Sequence, residues 1–212
     1  SRFTVCHAGK GRIELVAAGP REPAVRRLAE LETDLGRRAV HVAFAMNAGM
    51  YDEDGRPIGL AIVEGKQKRA INRRKGGGNF HLMPNGVFQV HKDGRAELVT
   101  SDRWKPSPSV RLATQSGPML AIDGNLHPAF DRDGTSRKVR NGVGIGPQGQ
   151  PLFVISDGPV SLGKFARFYR DELKSRNALF FDGAVSALWD PATGRRDITK
   201  PLGPMVVAFK TR

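Results

Sequence analysis

The apolar runs of this chain are short, and each stops abruptly at a polar or turn residue. "VHVAFAM" (40–46) ends at Asn47, "MLAI" (119–122) at Asp123, "LFVIS" (152–156) at Asp157 and "ALFF" (178–181) at Asp182. Runs of this length cannot cross a bilayer, but they suit buried strands. With 25 Gly and 14 Pro among 212 residues, tight turns are plentiful and long helices are not. A hydrophobic share of 39% still supports a real core, and the length fits one domain over 1–212.

The pattern predicts roughly ten short strands and two helices. Strands read at 2–8 and 12–18 around a turn at 9–11, then at 40–46, 58–63, 79–83, 86–90, 95–100, 117–122, from about Val139, at 151–156 and at 205–209. Pro23 opens one helix to about Leu35, with Val25, Leu28, Leu31 and Leu35 on one face and Gly36 as its stop. The second helix follows Ser161, with Leu162, Phe165, Ala166, Tyr169 and Leu173 as its stripe. The Pro- and Ser-rich stretch 101–112 reads as irregular. The expected class is α+β: a single domain with a mixed, largely antiparallel sheet of many short strands and two main helices on its face.

The net charge is +13, spread over both halves of the chain. Such a field favours anionic partners. Six of the ten residues from Lys66 to Lys75 are basic, which fits either a solvated face or a polyanion groove. No aromatic residue interleaves that run, so a nucleic-acid stacking platform is not visible there. One cysteine, Cys6, allows no intramolecular disulfide, and no His or Cys pair has zinc spacing. Gly76–Gly78 lacks the Lys-Ser/Thr ending of a P-loop. The glycines at 142, 144 and 146 do not have dinucleotide-fold spacing. Asp131–Gly134 is too short and unclosed for an EF-hand, and no nucleophile elbow is present. The chain opens in strand-like sequence, as a chain with a removed signal peptide or a trimmed one would. A periplasmic or secreted protein is expected, with the cytoplasm left open.

What remains is a set of polar residues just past strand ends: Asn47, Asp123, Asp157 and Asp182, with Arg140 opening a strand. Each alone suits a turn or cap, yet several strands delivering such residues to one edge make a site. Asp182–Gly183 is a strong hairpin signal and also a carboxylate beside a flexible backbone, and both readings stand. Ser186 lies close by.

Five stretches, in order, resemble phosphodiester glycosidase domains, most closely the bacterial branch. They are "NAGMYDEDGRPIGLAIVEG", "GGGNFHLMPNGVF", "ATQSGPMLAIDG", "RNGVGIG" and "ALFFDGAVSALW". The likeness covers nearly the whole chain, from residue 3 to 209. It implies a site with Asn47, Arg140, the pair Asp182–Gly183, and Ser186. Two places depart from the family. Gly183 is followed by Ala184 and Val185 rather than further glycines, and positions 140–142 read Arg-Asn-Gly where Arg-Thr-Ala is common.

The resemblance implies hydrolysis of a sugar joined through its anomeric carbon to a phosphodiester or a related anionic glycoconjugate. A phosphate monoester leaves readily but needs its charge held, a task for the planar fork of Arg140. Asn47 and backbone N–H groups near Gly183 would add neutral donors to the substrate. Asp182 would activate water or attack, with Asp157 as the second carboxylate. No cofactor is implied, although an oxygen-ligated divalent ion would leave no spacing signature. The expected partner is an anionic carbohydrate or sugar phosphate. A catalytically idle polysaccharide-binding domain and a basic nucleic-acid-binding module are the alternatives.

Overall fold

The computed structural model describes residues 2–182 and 184–211. Among them the strands run, in chain order, β1 (Phe3–His7), β2 (Ile13–Val16), β3 (Val42–Asn47), β4 (Ala61–Val63), β5 (Lys66–Arg69), β6 (Gly86–His91), β7 (Ala96–Thr100) and β8 (Val110–Ser116). They continue with β9 (Met119–Ile122), β10 (Asn125–Leu126), β11 (Asn141–Ile145), β12 (Pro151–Ser156), β13 (Asn177–Phe180), β14 (Leu188–Asp190), β15 (Arg195–Arg196) and β16 (Met205–Phe209). The helices are α1 (Leu28–Leu35) and α2 (Leu162–Arg167).

The class is α+β, with the strands divided among three antiparallel sheets. One sheet has the order β1-β12-β11-β13-β9-β10, the second β15-β14-β3-β16-β2, and the third β5-β4-β8-β6-β7. Strand alternation explains why three sheets form where one was expected. On β16, Val206 and Ala208 face a central core while Met205, Val207 and Phe209 face the layer beneath α1. Each such strand carries apolar groups on both faces, so each sheet needs cover on both sides. The central core is that shared cover. Phe153 of the first sheet lies 5.3 Å from Phe44 of the second and 5.5 Å from Phe88 of the third, ring centre to ring centre.

The outer faces are closed separately. Leu28 and Leu31 of α1 cover the second sheet. Phe165 and Ala166 of α2, with Tyr169 just beyond, cover Leu120, Val154 and Phe180 of the first. Trp104, on the irregular stretch before β8, covers the third, its indole N–H donating to Gln89 Oε1 at 2.9 Å.

Three local departures have clear causes. α1 starts at Leu28 rather than Pro23, because the Arg26 carbonyl accepts the Leu202 N–H (2.7 Å) and holds that stretch extended. Residues 79–83 are not a strand. A single helical turn, Asn79–His81, is fastened by Asn85 Nδ2 donating to the Phe80 carbonyl (2.9 Å). The basic run begins as β5, an edge strand paired only with β4, where charged side chains discourage edge-to-edge association.

Candidate active site

Antiparallel pairing carries several strand ends to one end of the domain. Met205 pairs with Asn47, Leu188 with Met46, and Gly142 with Phe180. The end of β3, the start of β11, the segment after β13 and the segment before β14 therefore meet. Ser116, the last residue of β8, joins them by donating to the Phe181 carbonyl at 2.6 Å. Two β-sheets thus supply most of the cluster, and the third fastens it.

At its centre lie two buried amides. Asn47 Oδ1 accepts from Asn141 Nδ2 (3.0 Å) and from the Ala187 N–H (2.9 Å). Asn47 Nδ2 donates to the Val185 carbonyl (2.8 Å) and to Asn141 Oδ1 (3.3 Å). Asn141 Nδ2 also donates to the Asn47 carbonyl (2.8 Å), and Asn141 Oδ1 accepts from the Asp182 N–H (3.4 Å). Every donor and acceptor direction of the Asn47 amide is therefore spent on the chain.

The segment after β13 is held from several directions. Ser186 Oγ donates to the Asp182 carbonyl (2.7 Å), closing a short loop. Asp182 Oδ1 accepts the Ala184 N–H (2.8 Å), the Asx-turn expected of an aspartate in a tight turn. Asp182 is 8% exposed. Gly183 falls outside the described residues.

Tyr51 lies within electrostatic reach of this carboxylate. Burial first, and then the negative charge of Asp182, push its phenol up to about 12, with Arg26 acting in the opposite direction. The hydroxyl donates to the Pro201 carbonyl (2.8 Å), and the ring is closed in by Gly203, where a Cβ would come 2.2 Å from Tyr51 Cγ. Arg26 sits over the ring at 5.8 Å and donates from Nε to the Leu202 carbonyl.

Arg140 precedes Asn141 and is 1% exposed. Nε donates to the Val160 carbonyl (2.8 Å) and Nη2 to the Ser136 carbonyl (2.9 Å), and the guanidinium lies 5.4 Å from the Phe180 ring centre. Nη1 is buried without a hydrogen-bond partner among the described residues. No described carboxylate lies within 4.0 Å of this cation, and burial pulls its pKa down. It lines a cavity of about 200 Å³ together with Ser136, Ser161 and Gly163.

The other carboxylates singled out in the sequence are engaged by other partners, although Asp157 directly follows Ser156, whose N–H donates to the Arg140 carbonyl (2.9 Å). Asp157 accepts from Thr4 Oγ1 (2.7 Å) and pairs with Arg195 (3.6 Å) and Arg2 (3.9 Å). Asp123 is in an exposed turn facing Arg103 at 3.4 Å. Two residues of the cluster, Asn141 and Tyr51, carry no local signal of their own. Both lie inside stretches that resemble the family, "RNGVGIG" and "NAGMYDEDG", and that was the only available pointer. Among the described residues no three His, Cys, Asp or Glu side chains are grouped as metal ligands.

The three-sheet α+β fold agrees with comparisons to known proteins. The chain belongs to the phosphodiester glycosidase family, whose model matches residues 41–202. It is 39% identical over 148 residues to the uncharacterized protein YigE of Escherichia coli K12, covering 70% of this chain and 58% of that protein's length. Its fold is similar to the catalytic domain of zebrafish N-acetylglucosamine-1-phosphodiester alpha-N-acetylglucosaminidase auto-inhibited by its pro-peptide. There the TM-score is 0.66 at 17% identity, over 94% of this chain and 73% of that one. A hypothetical protein from Synechocystis matches with a TM-score of 0.57 at 13% identity, over 99% of this chain and 59% of the other. At these identities the structural likeness is one of fold. No described helix is long and apolar enough to cross a membrane.

Proposed function

We propose that this protein is a glycosidase that frees a sugar from a phosphodiester attached at its anomeric carbon, with Arg140 holding the phosphate and Asp182 acting at the reacting centre. The observation that carries this reading is the buried Arg140 guanidinium, with no described carboxylate beside it and Nη1 unpartnered. Burying a cation without a counter-charge is costly, and a phosphate would supply both the charge and the missing acceptor.

The chemistry follows from the leaving group. Water attacks the anomeric carbon, the bond to the phosphate oxygen breaks, and the phosphate monoester departs with the electron pair. Such a leaving group needs charge stabilisation more than a strong acid. Asp182 takes the proton from water, or first forms the bond itself. Tyr51, neutral and with its hydroxyl proton held by the Pro201 carbonyl, adds no second anion beside Asp182. Asp157 is tied into its pairs with Arg195 and Arg2, so the reading rests on Asp182 alone as carboxylate. Asn47, with its amide spent on Val185, Ala187 and Asn141, positions the Asp182 loop rather than the substrate.

The test is turnover of a panel of sugar-1-phosphodiesters by the parent, Asp182→Asn and Arg140→Ala, with and without chelator. Release of sugar and phosphate monoester by the parent is expected, with each variant slower by at least about a hundredfold and still folded. Absence of release by the parent, or full activity of Arg140→Ala, would overturn the assignment.

A further inference from the structure

The end of the domain opposite Asp182 carries a charged surface that the glycosidase reading does not use. The register of β16 defines the two ends: Met205 pairs with Asn47 at the carboxylate end, whereas Ala208 pairs with Phe44 and Ile13 and Phe209 with Val42 at the other. About 13 Å of strand separates them. At that far end two grooves, of about 340 and 490 Å³, share the turn Lys10–Gly11–Arg12 between β1 and β2.

Cations dominate both grooves. The first presents Lys10, Arg12, Arg38 and Lys210 against Glu14. The second adds Lys92 and Arg111 against Asp93. With Glu64, which pairs with Arg12 and Arg111, six cations less three carboxylates leave a local charge of +3. The arginines are also held in place. Glu14 accepts from Arg38 (2.5 Å) and Arg12 (3.0 Å), and Glu64 accepts from Arg12 (2.6 Å) and Arg111 (2.9 Å). The result is a row, Arg38–Glu14–Arg12–Glu64–Arg111, in which two carboxylates fix three guanidinium forks. Lys10, Lys92 and Lys210 flank it with no carboxylate within 4.0 Å among the described residues. A pre-ordered row loses little side-chain freedom when it meets a polyanion.

We infer that this face is a second, non-catalytic binding site for a linear anionic glycan, which it would hold remote from Asp182. A glycan fits better than a polynucleotide because base stacking needs an open aromatic face. Among the described lining residues the one Phe, Tyr or Trp ring, Phe209, is capped by the Arg38 guanidinium at 4.8 Å, and the only other aromatic ring is the His41 imidazole. The inference does not depend on the roles given to Asp182 and Arg140.

The experiment is fluorescence anisotropy of a labelled heparin dodecasaccharide with the full chain, titrated over a series of sodium chloride concentrations. Saturable binding is expected. The triple variant Lys10→Ala/Lys92→Ala/Lys210→Ala should bind at least about tenfold more weakly, with a slope of log affinity against log salt shallower by about two. A variant losing the same charge from the basic run outside these linings, Arg69→Ala/Arg73→Ala/Arg74→Ala, should bind as the parent does, and so should Asp182→Asn. Equal losses in the two triple variants would reduce the effect to net charge and overturn the site. No binding by the parent would overturn it as well, as would loss of binding in Asp182→Asn. Tighter binding of single-stranded DNA of matched charge would overturn the glycan assignment. Thermal melting of both triple variants separates loss of fold from loss of site.

Discussion

Asn47 and Asn141, 94 residues apart, face one another as paired amides and together hold the loop that carries Asp182. One ends a strand of the second sheet and the other begins a strand of the first. Removing either amide strands buried backbone groups: Val185 O and Ala187 N–H for Asn47, the Asn47 carbonyl and the Asp182 N–H for Asn141. Asn47→Ala and Asn141→Ala should each cost about 1–3 kcal/mol, read as a lower urea midpoint. Turnover should fall by at least about tenfold, because a slightly misplaced carboxylate loses alignment with the reacting centre. Parent-like stability in both variants would show that the paired amides do not hold the loop.

Arg140 separates function from fold. Arg140→Met removes the buried charge while keeping much of the side-chain volume, so the variant should remain folded even though turnover falls. Inorganic phosphate should raise the melting temperature of the parent in proportion to its occupancy, and should leave that of Arg140→Met unmoved. Equal shifts in the two proteins would place phosphate binding elsewhere.

The two tyrosines of the chain, Tyr51 and Tyr169, can be followed by phenolate absorbance. Burial raises both, and the Asp182 charge adds to the rise at Tyr51, to about 12. A negative neighbour disfavours the phenolate. Asp182→Asn should therefore shift the lower alkaline transition to lower pH, and Arg26→Met should shift it upward. An unchanged titration in Asp182→Asn would mean that the carboxylate does not face the phenol.

A separate polar group ties the third sheet together. Glu97 Oε1 lies 2.6 Å from His91 Nε2 and also accepts from Gln89 Nε2, while Oε2 accepts from Arg95 at 2.8 Å. Burial raises its pKa, but the hydrogen bonds from His91 and Gln89 and the Arg95 charge outweigh that, so the net shift is downward. A depressed carboxylate contributes stability above its unfolded value and loses it as pH falls through the folded one. Glu97→Gln should thus lower the melting temperature near neutrality and match the parent in acid. A penalty that persists unchanged in acid would contradict this linkage.

Gly142 allows β11 to approach β13 closely. An added Cβ would lie 2.4 Å from the Leu179 carbonyl oxygen, which is backbone and cannot swing aside. Gly142→Ala should destabilise the domain by about 1–3 kcal/mol through forced strand separation, measurable by chemical unfolding. A neutral substitution would show that the sheet yields there at little cost.

Much of this architecture was legible in the residues themselves. Short continuous apolar runs marked β16 at 205–209 and β12 at 151–156, and the stripe after Ser161 marked α2, with the Ser161 hydroxyl accepting from the Lys164 N–H as its cap. Such features depend on neighbours a few residues away, so a local pattern suffices to find them. The strand-end rule picked out Asn47, Asp123, Asp157 and Asp182, with Arg140 opening a strand; of these, Asn47 and Asp182 meet at the paired amides, whereas Asp123 is in an exposed turn. Other features are set by partners far along the chain. The division into three sheets depends on which outer faces α1, α2 and Trp104 cover. The engagement of Asp157 depends on Arg195, the burial of Tyr51 on Gly203, and the spending of the Asn47 amide on Asn141 and Ala187. Local sequence determines which face of a strand must be buried and where the chain turns. Only tertiary packing decides what covers that face and which polar groups meet, because each such contact joins segments whose sequences are independent of one another.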